Sequence, residues 1–331
     1  MQPARSFNTV RNSNRKKRVQ KQQKQRLLIL AMLAVVALLL LSLLILGVCA
    51  VVDSIQSKNP DSENPTPGNP SGTSIVFKDT TGLSTEIRAG SLIVVNKTNA
   101  YAFPSSPTQG FIDAESVERA TIGGANVYQL YKRGSKANQM RPEVFAAFES
   151  MMRNYYMQTE DGSVAIYEAY RSADKQQNIG GSTPAGHSDH HTGYLIRLSD
   201  FTGKSLPDSH WIYQNCHKYG FVVRYPDDKT LQTGVTDYTE CIRYVGVAHA
   251  TYMKEHNLCL EEYTTLLKNY SSSAPLIVNG ADGNSYAIYY VPVNTSTTVA
   301  QYAIPANYSY EISGDNVGGF IVTVNLSSPT A

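Results

Sequence analysis

The chain has 331 residues, 42% hydrophobic and 17% charged, enough to bury a core of its own. Its formal charge of +2 hides an asymmetry: nine of the 29 basic residues and none of the 27 acidic ones precede Leu27, which leaves the rest near −7. A body of that sign excludes a nucleic-acid binder, whose electrostatic footprint would be basic.

Residues 1–26 form a basic segment, and residues 27–52 (LLILAMLAVVALLLLSLLILGVCAVV) are apolar throughout, with Ser42 as the polar break. A bilayer core needs about 20 such residues, and positive flanks stay in the cytoplasm. The reading is a retained single-pass plasma-membrane helix, with the N-terminus cytoplasmic and the C-terminal part outside the cytoplasm. The basic flank is a topology signal lying against anionic lipid. The run is too long for a cleaved signal peptide. A lipoprotein anchor on Cys49 is the other alternative, but Val48 is branched where that signal wants a small residue. Residues 53–74, rich in Pro, Ser, Asn and Gly, have too few large apolar side chains to fold and read as a disordered spacer. Of the cysteines, Cys216, Cys241 and Cys259 lie beyond the spacer. That is too few for a disulfide framework, and no pairing is indicated.

Globular character starts near Ile75. SIVFKD and GSLIVVNKTNAY read as short β-rich runs. RPEVFAAFESMMRNYYMQT predicts a helix with Pro142 in its first turn and Val144, Phe145, Phe148, Met151, Met152 and Tyr155 on one core face. VAIYEAY and YLIRLS are strand candidates. PDSHWIYQNCHKYG predicts a helix stopped by Gly220, and VAHATYMKEHN and LEEYTTLLKNY complete the helices. From Ala274 the composition turns to Val, Tyr, Thr, Asn and Gly, a β-rich extension over 274–331 behind a domain over 75–273. Without a regular βαβ alternation, an α+β fold is expected, a mixed or antiparallel sheet with helices.

Four segments in order carry a resemblance: LIVVN at 92–96, YRSADKQ at 170–176, SDHHTG at 188–193 and RYVG at 243–246, with HKYGFVVRYPDD between the last two. Over about Gly90 to Tyr270 the chain resembles the zinc-dependent D-alanyl-D-alanine carboxypeptidases of the vancomycin-resistance VanY type. The resemblance implies zinc held by His, Asp and His, a Glu general base, and a metal-bound water attacking the terminal peptide bond. It implies that Arg171 holds the substrate's carbonyl or carboxylate, with Gln176 and Ser188 lining the same cleft. An Arg fork suits such groups.

The ligand positions depart from the family's pattern. In S-x-H-x-x-G-x-A-x-D, Ser188, His190 and Gly193 fit, but Leu195 stands at Ala and Arg197 at Asp. In E-P-W-H, Tyr238, Thr239, Glu240 and Cys241 stand in that order, and only a slip in spacing offers Glu240 as the base. Cys241 is a mild change, because thiolate binds zinc. Arg197 is not: alternation puts its side chain where the carboxylate would point. Two unit charges about 4 Å apart at an effective dielectric near 20 interact by about 4 kcal/mol, roughly doubled for a divalent ion, here as repulsion. Asp189 and Asp200 are offset to the wrong face to replace it. His187, His190 and His191 read as surface or hydrogen-bonded, with a metal cluster as the sharper alternative. His249 and His210 read as satisfied structural residues, and His217 and His256 as exposed helix positions.

Three functions are compatible with this pattern. The leading one is an envelope protein that binds a peptidoglycan stem peptide and has lost zinc hydrolysis, with no resident metal, Arg171, Gln176, Ser188 and Arg197 contacting the peptide, and Arg197 as a fixed positive charge for its carboxylate. The second is an active zinc carboxypeptidase rebuilt from His190, Cys241 and Glu240. The third is an interaction scaffold whose β-rich tail meets a partner and can be removed without unfolding the rest.

Overall fold

A computed structural model describes residues 74–131, 138–179, 183–236, 238, 240–294 and 297–330. The basic segment, the apolar run at 27–52, Cys49 and all but the last residue of the spacer lie outside the described residues. Among the described residues no helix is long and apolar enough to cross a membrane.

SIVFKD contributes to the first strand, β1 (Phe77–Leu83). The central sheet comprises β2 (Gln129–Leu130), β3 (Val164–Glu168), β4 (Leu195–Asp200), β5 (Phe221–Val223) and β6 (Cys241–Tyr244), in spatial order β2-β3-β4-β6-β5. β2 runs parallel to β3 and the other pairs are antiparallel, so the sheet is mixed, as expected of an α+β domain. VAIYE is buried at every position, which explains its apolar run from Val164 to Tyr167 between two neighbouring strands.

Helix α1 (Pro142–Thr159) buries all six residues assigned to its core face. Pro142 sits where a missing N–H costs nothing, and Glu160, left-handed at φ 56°, ends the helix with its N–H on the Tyr156 carbonyl. That face packs on Val164, Ile166, Ile196, Leu198 and Ile242. Burying each large side chain contributes roughly 1.5–3 kcal/mol. Helix α2 (Ala173–Ile179) follows β3, and α3 (Trp211–Asn215) continues as a 3-10 turn to Gly220, whose φ of 82° makes the predicted stop. Helices α4 (Val247–Glu255) and α5 (Leu260–Leu267) match the last two helical segments.

The C-terminal strands β7 (Leu276–Asn279), β8 (Ser285–Pro292), β9 (Val299–Pro305), β10 (Tyr308–Gly314) and β11 (Gly319–Pro329) are β-rich as read. Four form the antiparallel sheet β7-β8-β11-β10, while β9 pairs with β1 from Phe77↔Pro305 to Leu83↔Val299. Leu276, Val278, Ile288 and Ile321 share one buried cluster with Val245, Met253, Leu260 and Tyr263 of the α4–α5 region. Removing the tail would strip that core open, so the expectation that the rest stays folded without it is corrected.

A second correction concerns GSLIVVNKTNAY, read as β-rich. Leu92–Val95 is buried yet belongs to no strand. Its backbone is satisfied outside any ladder, mostly by side chains: Arg243 donates to the Ser91 and Ile93 carbonyls at 3.0 and 3.4 Å, and Arg224 to Val95 at 3.5 Å. The Leu92 N–H donates to Ser313 Oγ at 2.8 Å, and the Val94 N–H to the Asp315 carbonyl at 3.1 Å. Buried backbone groups need partners, but a ladder is not the only source.

His249 joins the tail to the helices, as a satisfied structural residue. Its Nδ1 meets the Tyr263 hydroxyl at 2.7 Å and its Nε2 the Thr323 hydroxyl at 2.9 Å. Burial pushes its pKa down to about 3. The unfolded ring titrates near 6.5, so below that pH the unfolded chain holds a proton that the folded chain does not, and stability falls as pH drops from about 6.5 towards 3 by up to about 1.4 kcal/mol per unit. His249→Phe is expected to make urea unfolding less pH-dependent across this window. It should also lower stability at neutral pH by about 1–3 kcal/mol, since the Tyr263 and Thr323 hydroxyls lose their shared partner.

Candidate functional site

The SDHHTG segment forms a 3-10 turn over Asp189–Thr192, closed by Gly193 at φ 73°. A Cβ on Gly193 would lie 2.4 Å from the Phe111 ring, so both the backbone angle and the close approach require glycine. The turn is held from below by Asp189, which is fully buried. Its carboxylate accepts from Arg224 Nε at 2.6 Å and from Arg243 Nε at 3.1 Å, and Arg224 also donates to Glu261 at 2.8 Å. Burial opposes the Asp189 charge, but the two guanidiniums overcome it and hold the carboxyl below its ordinary range. Asp189 is therefore committed to structure. Asp200 is too: its Oδ1 accepts from the Thr202 and Lys204 N–H groups and closes the turn after β4.

Asp189 places His190 beside the end of β3. The His190 Nδ1–H donates to the Ala169 carbonyl at 2.6 Å, leaving Nε2 as the lone-pair nitrogen. A metal-binding histidine takes this posture. Burial, then Arg171, pushes its pKa down to about 3, so the ring stays neutral. His191 is consumed, with Nδ1 on the Arg171 carbonyl at 2.6 Å and Nε2 accepting from the Gly186 N–H at 3.1 Å. His187 donates to or accepts at Nδ1 across 2.8 Å to the Asn96 carbonyl, and only donation suits that partner. The bland reading of hydrogen-bonded histidines fits this cluster, and the three are buried or half-buried rather than on the surface.

The register brings the two substituted ligand positions face to face. Arg197 on β4 pairs with Cys241 on β6, and on its other side with Glu168 on β3. Directly opposed residues share a face, so Arg197 and Cys241 lie on the same side of the sheet. Arg197 is not the uncompensated charge expected of it, however. Its Nε and Nη2 donate to Glu240 Oε1 at 2.9 and 2.6 Å, and its guanidinium lies 4.6 Å from the Tyr167 ring centre and 5.3 Å from that of Tyr238. Glu240 is thereby an ion-pair partner with 6% of its side chain exposed, not a group poised over a water molecule. Cys241 is fully buried, and burial, followed by the Glu240 charge, pushes its thiol far up, so it stays protonated.

Arg171 and Gln176 do come together: Arg171 Nη1 donates to Gln176 Oε1 at 2.7 Å, and Gln176 donates to the Thr183 carbonyl at 2.8 Å. Arg171 is also paired with Glu168, whose other oxygen meets Lys175 at 2.9 Å. Burial alone would raise Glu168; the Arg171 hydrogen bond holds it at about 2. Arg171 Nε is buried with no hydrogen-bond partner among the described residues. Ser188 is buried at the head of the same turn. Sequence reasoning missed Glu168, Arg224 and the commitment of Asp189. The available signal was a charged residue inside an apolar strand, FVVRY and CIRYVG, which must find a buried partner.

The donor set was tested against the zinc centre the resemblance implies. It does not fit: a guanidinium bound to Glu240 stands at the carboxylate position, and among the described residues no three of His, Cys, Asp and Glu converge on one point. His190 alone keeps a ligand's posture.

The description "VanY: D-alanyl-D-alanine carboxypeptidase" matches residues 137–247, which contain Arg171, Gln176, Ser188, His190, Arg197, Glu240 and Cys241. A D-alanyl-D-alanine carboxypeptidase of Enterococcus faecium is 33% identical over 270 residues, covering 77% of this chain and 81% of that one. One of Enterococcus faecalis is 30% identical over 183 residues, covering 52% and 65%. The crystal structure of the vancomycin-resistance D,D-dipeptidase VanXYg with a D-Ala-D-Ala phosphinate analogue superposes with a TM-score of 0.61 at 26% identity, covering 76% of this chain and 99% of that one. By sequence over most of its length, the chain belongs to the D-alanyl-D-alanine carboxypeptidase family.

Proposed function

We propose that this protein is a membrane-anchored receptor for peptidoglycan stem peptides, held outside the cytoplasm by residues 27–52 and a spacer, and that it binds the peptide without zinc-dependent hydrolysis. One observation carries the reading: Arg197 lies opposite Cys241 in the β4–β6 ladder and is ion-paired to Glu240, so a cation and its own counter-ion fill the place of the metal-binding carboxylate. The family supplies the class of ligand, and the cleft keeps the Arg171–Gln176 pair. Because Glu168 already compensates Arg171, recognition runs through a neutral carbonyl rather than through a bare carboxylate.

The alternative is an active carboxypeptidase with a rebuilt site, supported by similarity to the Enterococcus faecium enzyme over most of both chains and by the ligand-like posture of His190. Such a site would hold its ion through His190 and Cys241, and the Arg197–Glu240 pair opposite Cys241 opposes a cation there.

Three measurements test these readings. The full-length chain in detergent is expected to bind a pentapeptide ending in D-Ala-D-Ala and release no D-alanine with zinc supplied; release of D-alanine at a rate set by zinc would defeat the proposal. Arg171→Ala is expected to weaken peptide binding at least tenfold, about 1.4 kcal/mol or more, whereas unchanged affinity would move recognition elsewhere. Arg197→Asp combined with Cys241→His and Tyr238→Glu is expected to create zinc affinity that the parent lacks.

A further inference from the structure

The chain's single tryptophan, Trp211, opens helix α3, and the residue before it, His210, ties that helix to the end of α1. His210 is half-buried, and both of its ring nitrogens have partners. Its Nδ1 accepts from the Ile212 N–H at 3.3 Å and so caps α3, in the place ordinarily held by Ser, Asn or Asp. Its Nε2 lies 3.2 Å from the Tyr155 hydroxyl, and that hydroxyl donates to Asp161 Oδ2 at 2.5 Å. The hydroxyl has one proton, which Asp161 takes, and Nδ1 is an acceptor, so the neutral ring carries its proton on Nε2. Hydrogen bonds thus run from His210 to Tyr155 and on to Asp161. Trp211 is held on the same stretch of α1, with its ring centre 5.5 Å from that of Tyr155 and its indole N–H donating to Gln158 Oε1 at 3.0 Å.

Protonation is incompatible with this arrangement. A second ring proton can enter only at Nδ1, where it meets the Ile212 N–H, and two donors cannot satisfy each other. Ile212 is fully buried, so its N–H has no water to turn to while α3 stays in place. Among the described residues the charged group acting on the ring is Asp161, not Asp208 two residues earlier. Tyr155 on α1 and Tyr213 on α3, the latter with its ring centre 6.2 Å away, are neutral, since burial raises the pKa of each. Burial opposes the Asp161 charge, but hydrogen bonds from Tyr155 and Ser163 hold its carboxyl below the ordinary value, so it is ionised where His210 titrates. Burial lowers the His210 pKa below 6.5, against the pull of Asp161. The cap is therefore complete at neutral pH, and it is lost as pH falls below 6.5 and through the folded pKa.

We propose that His210 is a pH-sensitive latch: neutral, it caps α3 and pins Trp211 against α1; protonated, it releases both. The segment so freed leads through Gly220 into β5 of the central sheet. The latch is separate from the motif-bearing site and does not rest on the function proposed for that site. The test is acrylamide quenching of tryptophan fluorescence in the full-length chain in detergent, from about pH 7.5 to about pH 4.5, a window that brackets the histidine range. Trp211 alone gives the signal. The quenching constant is expected to rise at least about twofold in one transition whose midpoint lies below 6.5. His210→Asn, which keeps a capping acceptor but does not titrate, is expected to hold the neutral-pH value throughout. Tyr155→Phe, which cuts the ring off from Asp161, is expected to move the midpoint to lower pH. A quenching constant that does not change with pH, or that rises equally in His210→Asn, overturns the proposal, as does a midpoint unmoved in Tyr155→Phe.

Discussion

The buried ion cluster of Asp189 with Arg224 and Arg243 is the constraint on which the architecture of the site depends. One carboxylate with no exposed surface ties the His190 turn to β6 through Arg243 and to the segment after β5 through Arg224. The same two guanidiniums cap the carbonyls of the Leu92–Val95 coil, and Arg224 reaches on to Glu261 of α5. Two positive and two negative charges close the cluster to neutrality. Removing one member of such a group leaves a charge uncompensated, at a cost of about 3–5 kcal/mol. Geometry around His190 is thereby preserved whatever happens to the chemistry above it.

On that preserved frame the charges of the cleft have been rearranged in compensating pairs. Arg197 is matched by Glu240, and Arg171 by Glu168. Each pair satisfies a charge that a partly buried strand end could not otherwise tolerate. The two tyrosine faces beside Arg197 add cation–π attraction that a carboxylate in that position would not gain. Each of the two arginines beside the cleft thus has its own counter-ion.

The sequence revealed the elements governed by periodicity and by special backbone angles. All six core residues of α1, the Gly220 stop and the α+β class follow from spacing and backbone preference. Long-range electrostatics were harder to read. The Leu92–Val95 run looks like a strand because strands and buried coils have the same composition, and only the guanidinium donors, about 130 to 150 residues away, distinguish them. Glu240 looked like a candidate base because its partner lies 43 positions earlier in the chain. Pairing across a sheet is a property of register, which a single sequence gives only where both strands are already known.

The most direct measurement is X-ray diffraction from crystals of the full-length chain grown with excess zinc, with data collected on both sides of the zinc absorption edge. The account predicts no anomalous peak beside His190 Nε2, and Arg197 still hydrogen-bonded to Glu240. A zinc ion bridging His190 and Cys241, with Arg197 turned away and an acidic side chain completing the coordination, would contradict it.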